Sequence, residues 1–245
     1  MKTIYFTVTD DRLLTTPELW PESMSNHTPR WFKKISANVP TLGNYGFKIL
    51  NRARTVKTCP SFVDVFQEGY VIKAPQDYLF KVQADGTWMW KSPVVFKNEF
   101  AEDIQAEIHE DEQYLDHLPP GHNIKKIFKI VLPWNIHVPK GYSIRQIPMP
   151  FDFNEDWHVS YGVMKADRIL QINLQLNFTS DKEEILIKQG TPLCVYIPFK
   201  REKFNIKVVK RDHKKKFVTK ESQFHIRIMA KFKNSYYTSG YGKDE

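Results

Sequence analysis

From Gln171 to Phe178 polar and apolar side chains alternate without a break: Gln171, Asn173, Gln175 and Asn177 against Ile172, Leu174, Leu176 and Phe178. A period of two is that of a β-strand with one face buried, here with amides lining the other. The same pattern predicts strands over 126–132, 142–148, 169–178, 184–188 and 193–199. Between them lie turn-forming segments such as Pro139-Lys140-Gly141 and Gln189-Gly190-Thr191-Pro192. Residues 2–9 also read as a strand, as do 70–75 and 78–82. Asp85-Gly86 is the strongest hairpin signal, with 87–91 as its return strand.

Helical signals are few. Pro29 opens a short helix to Ile35, proline being favoured at a first helical position. Ser61 as N-cap and Gly69 as stop predict a two-turn helix. Residues 99–117 read as a loop or short helix, and 205–233 fit either period. Short strands at this spacing predict a mainly β fold: an antiparallel β-sandwich or barrel, β-clip or jelly-roll-like, with few short helices. Three parts are expected. Residues 1–54 form an irregular aromatic arm carrying Trp20, Trp31 and Phe32. Residues 55–204 form the β core, and 205–245 a basic C-terminal extension.

Composition changes this picture mainly through charge. The chain has 245 residues, 41% hydrophobic, 14% aromatic and 26% charged. That excludes disorder throughout and fibrous repeats. No stretch approaches the roughly 18 apolar residues of a membrane span. The alternating start is unlike a signal peptide, and a cytoplasmic location is expected, host cytoplasm or virion if the chain is phage-encoded. The net charge is +8, yet residues 200–245 hold 14 Lys/Arg and 5 Asp/Glu. The body is therefore close to neutral and the extension carries the excess, while eight carboxylates crowd 99–116. Such segregation marks an interaction tail or two solvated faces. Cys59 and Cys194 form no CxxC pair, so two buried thiols are expected rather than a zinc site or disulfide scaffold.

Cys59-Pro60-Ser61-Phe62-Val63-Asp64, then Gly69-Tyr70-Val71-Ile72 and Pro75-Gln76-Asp77, resemble the opening signature of a bacterial and phage family of unknown function. Pro133-Trp134-Asn135-Ile136, Pro139-Lys140-Gly141-Tyr142-Ser143, Gly162-Val163 with Asp167-Arg168, and Gly190-Thr191-Pro192 with Pro198-Phe199-Lys200-Arg201 continue it, over about residues 29–204. The resemblance implies an architecture and a phage association without an activity. The order of these motifs also resembles the dUTPase β-clip layout, which implies a degenerate, dUTPase-like nucleotide-binding protein. Lys165 stands where that pattern wants a water-activating carboxylate, and a general base must sit near its proton.

Candidate chemistry is sparse. His109-Glu110-Asp111, a distant His158 and then Arg168 have the spacing of an Fe(II)/2-oxoglutarate oxygenase, whose His, carboxylate and His leave iron positions open. His109, Asp111 and His158 are the alternative metal ligands, with Fe(II) and 2-oxoglutarate as the alternative cofactors. Otherwise no cofactor is expected, since GxSxG, Walker, GxGxxG and HExxH motifs are absent. Trp134, Asp167 and Arg168 are the candidate binding residues. Residues 200–233 suit salt-sensitive, nonspecific nucleic-acid contact through Lys. The leading expectation is a non-catalytic binding or structural and assembly module with a protein partner or a homo-oligomeric state.

Overall fold

The computed structural model describes residues 2–42, 50–98, 100–104, 106–168 and 171–208. All but the first few residues of the expected basic extension, including Phe217, Phe224 and the nucleic-acid contact region past 208, lie outside the described residues. The described chain makes two compact units. The larger takes residues 1–30 together with 66–201, and the smaller contains 31–65.

Along the chain, β1 (Tyr5–Val8) leads through 3-10 turns to β2 (Glu22–Ser23) and α1 (Arg30–Lys34). In the smaller unit β3 (Asn38–Leu42) pairs with β4 (Leu50–Arg54), and α2 (Pro60–Val65) follows. Phe32 stacks on Phe62 with centroids 6.5 Å apart, and Lys57 Nζ donates to Phe32 O at 2.8 Å. The helix begins at Pro60, with Cys59 O accepting from Phe62 N and Val63 N, so Ser61 is not its N-cap. Proline fits this first position because its missing N–H would be unpaired there anyway.

The larger unit continues with β5 (Tyr70–Lys73), β6 (Tyr78–Val82), β7 (Trp88–Lys91), β8 (Phe96–Lys97), β9 (Asp103–Ile104) and β10 (Ala106–Ile108). Then come β11 (Lys126–His137), β12 (Tyr142–Pro148), β13 (Trp157–Val159), β14 (Gly162–Met164), β15 (Gln171–Phe178), β16 (Glu184–Ile187) and β17 (Pro192–Lys200). Within 99–117 the chain is not a loop or helix alone. Ala106, Glu107 and Ile108 zip onto β11, where Lys129 Nζ meets Glu107 at 2.6 Å and neutralises part of the acidic run.

The fold is an antiparallel β-sandwich. One sheet has the order β1-β11-β15-β13, with β10 also pairing β11. The second runs β14-β12-β17-β5-β2, and a third runs β16-β6-β7. Among the described residues every ladder is antiparallel and each sheet stays open, so sandwich rather than barrel is the form taken. The three sheets share one core. Phe80 of the third sheet meets Phe128 and Phe178 of the first at 4.6 and 4.7 Å between centroids. Such tilted and edge-on aromatic pairs add about 0.5–1.5 kcal/mol beyond area burial. Between Val131 and Asn135 the β11–β15 register slips, and Pro133, which has no N–H for the ladder, sits in that irregularity.

Among the described residues no helix is long and apolar enough to cross a membrane. Cys194 is buried and burial pushes its thiol well up, while Cys59 is only half-buried.

Candidate functional site

The alternation of β15 sends Ile172, Leu174 and Leu176 into the core and turns its amides to the outer face of the first sheet. Register then fixes their neighbours. Gln171 lies opposite Asn135, which pairs with Thr7. Asn173 lies opposite Val131, and Gln175 opposite Lys129, itself beside Glu107. A backbone bond from His109 N to Ile127 O, 3.0 Å, extends the β10 ladder by one residue. His109, Ile127, Asn177 and His158 thus share one row across four strands.

A cleft of about 370 Å³ opens on this face, walled by His109, Gln113, Tyr114, Ser160, Tyr161 and Gln175. Its walls are an imidazole, amide and hydroxyl groups and two phenol rings, and Tyr161 is 78% exposed. Ser160 is pinned from three sides. Its N–H donates to Gln175 O at 3.0 Å, and its O accepts from Gln146 Nε2 at 2.8 Å. Its Oγ accepts from Asn177 Nδ2 at 2.9 Å. Gln146 is in turn held by the buried Tyr196 hydroxyl, which donates to its Oε1 at 3.1 Å.

His109 has a defined hydrogen-bonding role. Gln113 Oε1 accepts from Glu110 N at 3.1 Å and faces His109 Nδ1 at 3.2 Å. An amide oxygen only accepts, so Nδ1 is the donor in this contact. Nε2 is buried without a partner among the described residues, as are Asn173 Oδ1 and Asn177 Oδ1 on the same sheet face. Buried polar atoms are nearly always paired, so these three mark unmet hydrogen-bonding capacity beneath the face, while the accessible groups of the cleft are the Gln113 and Gln175 amides, the Ser160 hydroxyl and the two phenols.

The residues singled out by sequence fall elsewhere. Trp134 is 3% exposed, pairs across from Val8 and belongs to the core, so its ring offers no platform to a ligand. Asp167 does not act with Arg168. Its carboxylate is gripped by both terminal nitrogens of Arg201 and accepts from Gly141 N at 3.0 Å. The Arg201 bonds, chiefly, hold that carboxyl far below the usual carboxylate range. Arg168 is exposed in the turn after β14.

His109, Asp111 and His158 do not converge. Three inter-strand steps separate the two histidines along their row, roughly 14 Å, several times a metal–ligand bond. Asp111 is engaged by Lys126 Nζ at 2.7 Å. His158 lines a different, smaller cleft of about 100 Å³ with Asp152, Phe153 and Trp157. Desolvation lowers the His158 imidazole and raises the Asp152 carboxyl there. Among the described residues no group of three or more His, Cys, Asp or Glu is placed to hold a metal ion.

Tyr114, Tyr161, Gln113 and Ser160 escape a sequence reading. The amide ladder is its one visible signal, and the flanking loops become neighbours only through the strand register. No protein family and no curated protein matches the chain.

Proposed function

We propose that this protein is a non-catalytic binding module that presents the outer face of its first sheet to a ligand. The carrying observation is the cleft over β15, whose walls are amide, hydroxyl, imidazole and phenol groups with no carboxylate, lysine or arginine among them. Such a surface offers hydrogen bonds and ring contacts and no paired acid and base. Lys129, opposite Gln175 in the ladder, is already matched by Glu107. The resemblance to a bacterial and phage family supports extending the reading to a phage-encoded virion or accessory protein.

The test is a binding screen over immobilised glycans, peptides and nucleotides, with mass spectrometry of each ligand after prolonged incubation. A ligand retained unchanged, and lost by Gln175→Ala with Tyr161→Ala, fits the reading. Product formation, or binding indifferent to both substitutions, overturns it.

A further inference from the structure

A second cleft, about 200 Å³, lies on the same sheet face, walled by Thr9, Asn98, Phe100, Glu102, Asn135 and Gln171. The two clefts are joined by β15. Gln171 lines one and Gln175 the other, four residues or roughly 14 Å apart along the strand. Asn173 stands between them. An exposed ring marks each end, Phe100 at 74% exposure and Tyr161 at 78%.

Two rings joined by a row of amides match one class of ligand. A pyranose offers an apolar C–H face to an aromatic ring and a rim of hydroxyls that both donate and accept. Those hydroxyls suit the amides of Gln175 and Gln171, one lining each cleft, which also do both. An anionic ligand is disfavoured, since Lys129 is held by Glu107 and the second cleft contains Glu102. A cationic ligand would need an unmatched carboxylate in the larger cleft, and none of its lining residues carries one. A monosaccharide could occupy one cleft, but the continuous amide row favours a chain.

We infer that the ligand of this face is a neutral oligosaccharide lying along β15, one sugar ring against Tyr161 and another against Phe100. This rests on the binding-module reading and specifies its ligand.

The experiment is calorimetric titration of the full chain with neutral hexasaccharides built on glucose, mannose, xylose or N-acetylglucosamine, each alongside its monosaccharide. At least one hexasaccharide binds, at least tenfold more tightly than its monosaccharide. Phe100→Ala and Tyr161→Ala each weaken it about tenfold, the loss expected for one stacking surface. Both rings are largely exposed, so these variants keep the core, and Tyr161→Phe retains affinity through its ring. Failure of all four hexasaccharides overturns the inference, as does affinity unchanged in both alanine variants. A peptide that binds in a Tyr161-dependent way while every sugar fails overturns the saccharide and leaves the binding module standing. Cleavage of a bound sugar overturns the non-catalytic reading instead.

Discussion

Asp167 is held by Arg201, 34 residues further along the chain, and not by its neighbour Arg168. Arg201 leaves the end of β17 and also donates to Ser143 Oγ at 3.0 Å, while its backbone N–H donates to Gly141 O at 2.9 Å. The pair therefore clips the Pro139–Tyr142 turn to the strand end. Arg201→Ala is expected to lower the thermal midpoint and speed hydrogen exchange at the Gly141 amide. Arg168→Ala, at an exposed position, leaves both unchanged. Because Asp167 is held below its ordinary value, its contribution is complete above the usual carboxylate range and fades as pH falls through the lowered value. Equal effects from the two arginine variants would refute the clip.

Glu22 and Lys73 form another long-range ion pair with a pH consequence. Lys73 is buried, its Nζ 2.6 Å from Glu22 Oε1, and Glu22 is brought down to about 2, chiefly by that bond. Glu22→Gln leaves a buried ammonium without its counter-charge, held by the Glu18 carbonyl, and is expected to cost about 1–3 kcal/mol, softened because Glu22 is partly exposed. Lys73→Met removes the buried charge and should cost less. Stability from this pair is complete above about pH 4.5 and is lost as pH falls through about 2. Urea unfolding of both variants between pH 7 and pH 2 checks the order and the window.

The legibility of this protein in its sequence follows the range of the interactions. The β15 alternation needed no partner to be read, and neither did Asp85-Gly86, where Gly86 takes a φ of +83° in the turn before β7. β10 was hidden because Glu107 sits in a run of carboxylates, and its own cation, Lys129, comes to it only across the ladder. His109 and His158 have the spacing of a metal pair along the chain, but register places them in one row with Ile127 and Asn177 between. Asp167-Arg168 reads as a local pair, and only the β17 terminus shows which arginine is used. The cleft was half legible: its amides from periodicity, its tyrosines not at all.

Gly69 and Gly86 have nearly the same backbone, φ +85° and +83°, in different surroundings. A Cβ on Gly86 meets nothing within 4 Å. One on Gly69 would stand 2.6 Å from Tyr196 O and 2.8 Å from Val195 Cγ1, against the strand that pairs with β5. Gly86→Ala is expected to cost about 1–2 kcal/mol, the left-handed penalty alone. Gly69→Ala adds the collision with β17 and should cost well beyond ~2 kcal/mol. Denaturant midpoints that are equal for the two would show that conformation alone sets the cost.

Phe151 and Phe153 are both left-handed, with φ of 56° and 55°, a conformation that costs a non-glycine residue about 1–2 kcal/mol. Their rings have different roles. Phe151 packs against the buried Phe66, centroids 5.8 Å apart, whereas Phe153 is 73% exposed at the rim of the small cleft that contains His158. Asparagine adopts this backbone more readily than phenylalanine. Phe153→Asn sheds strain at the cost of a tilted contact with Phe151, 6.5 Å between centroids, so it should stabilise by no more than about 0.5 kcal/mol. Phe151→Asn sheds the same strain but removes a ring from the Phe66 contact, and should destabilise by about 1–3 kcal/mol. Opposite shifts of the urea midpoint are the expected result. A loss of stability in Phe153→Asn comparable to that in Phe151→Asn would mean that the exposed ring, too, is held for packing.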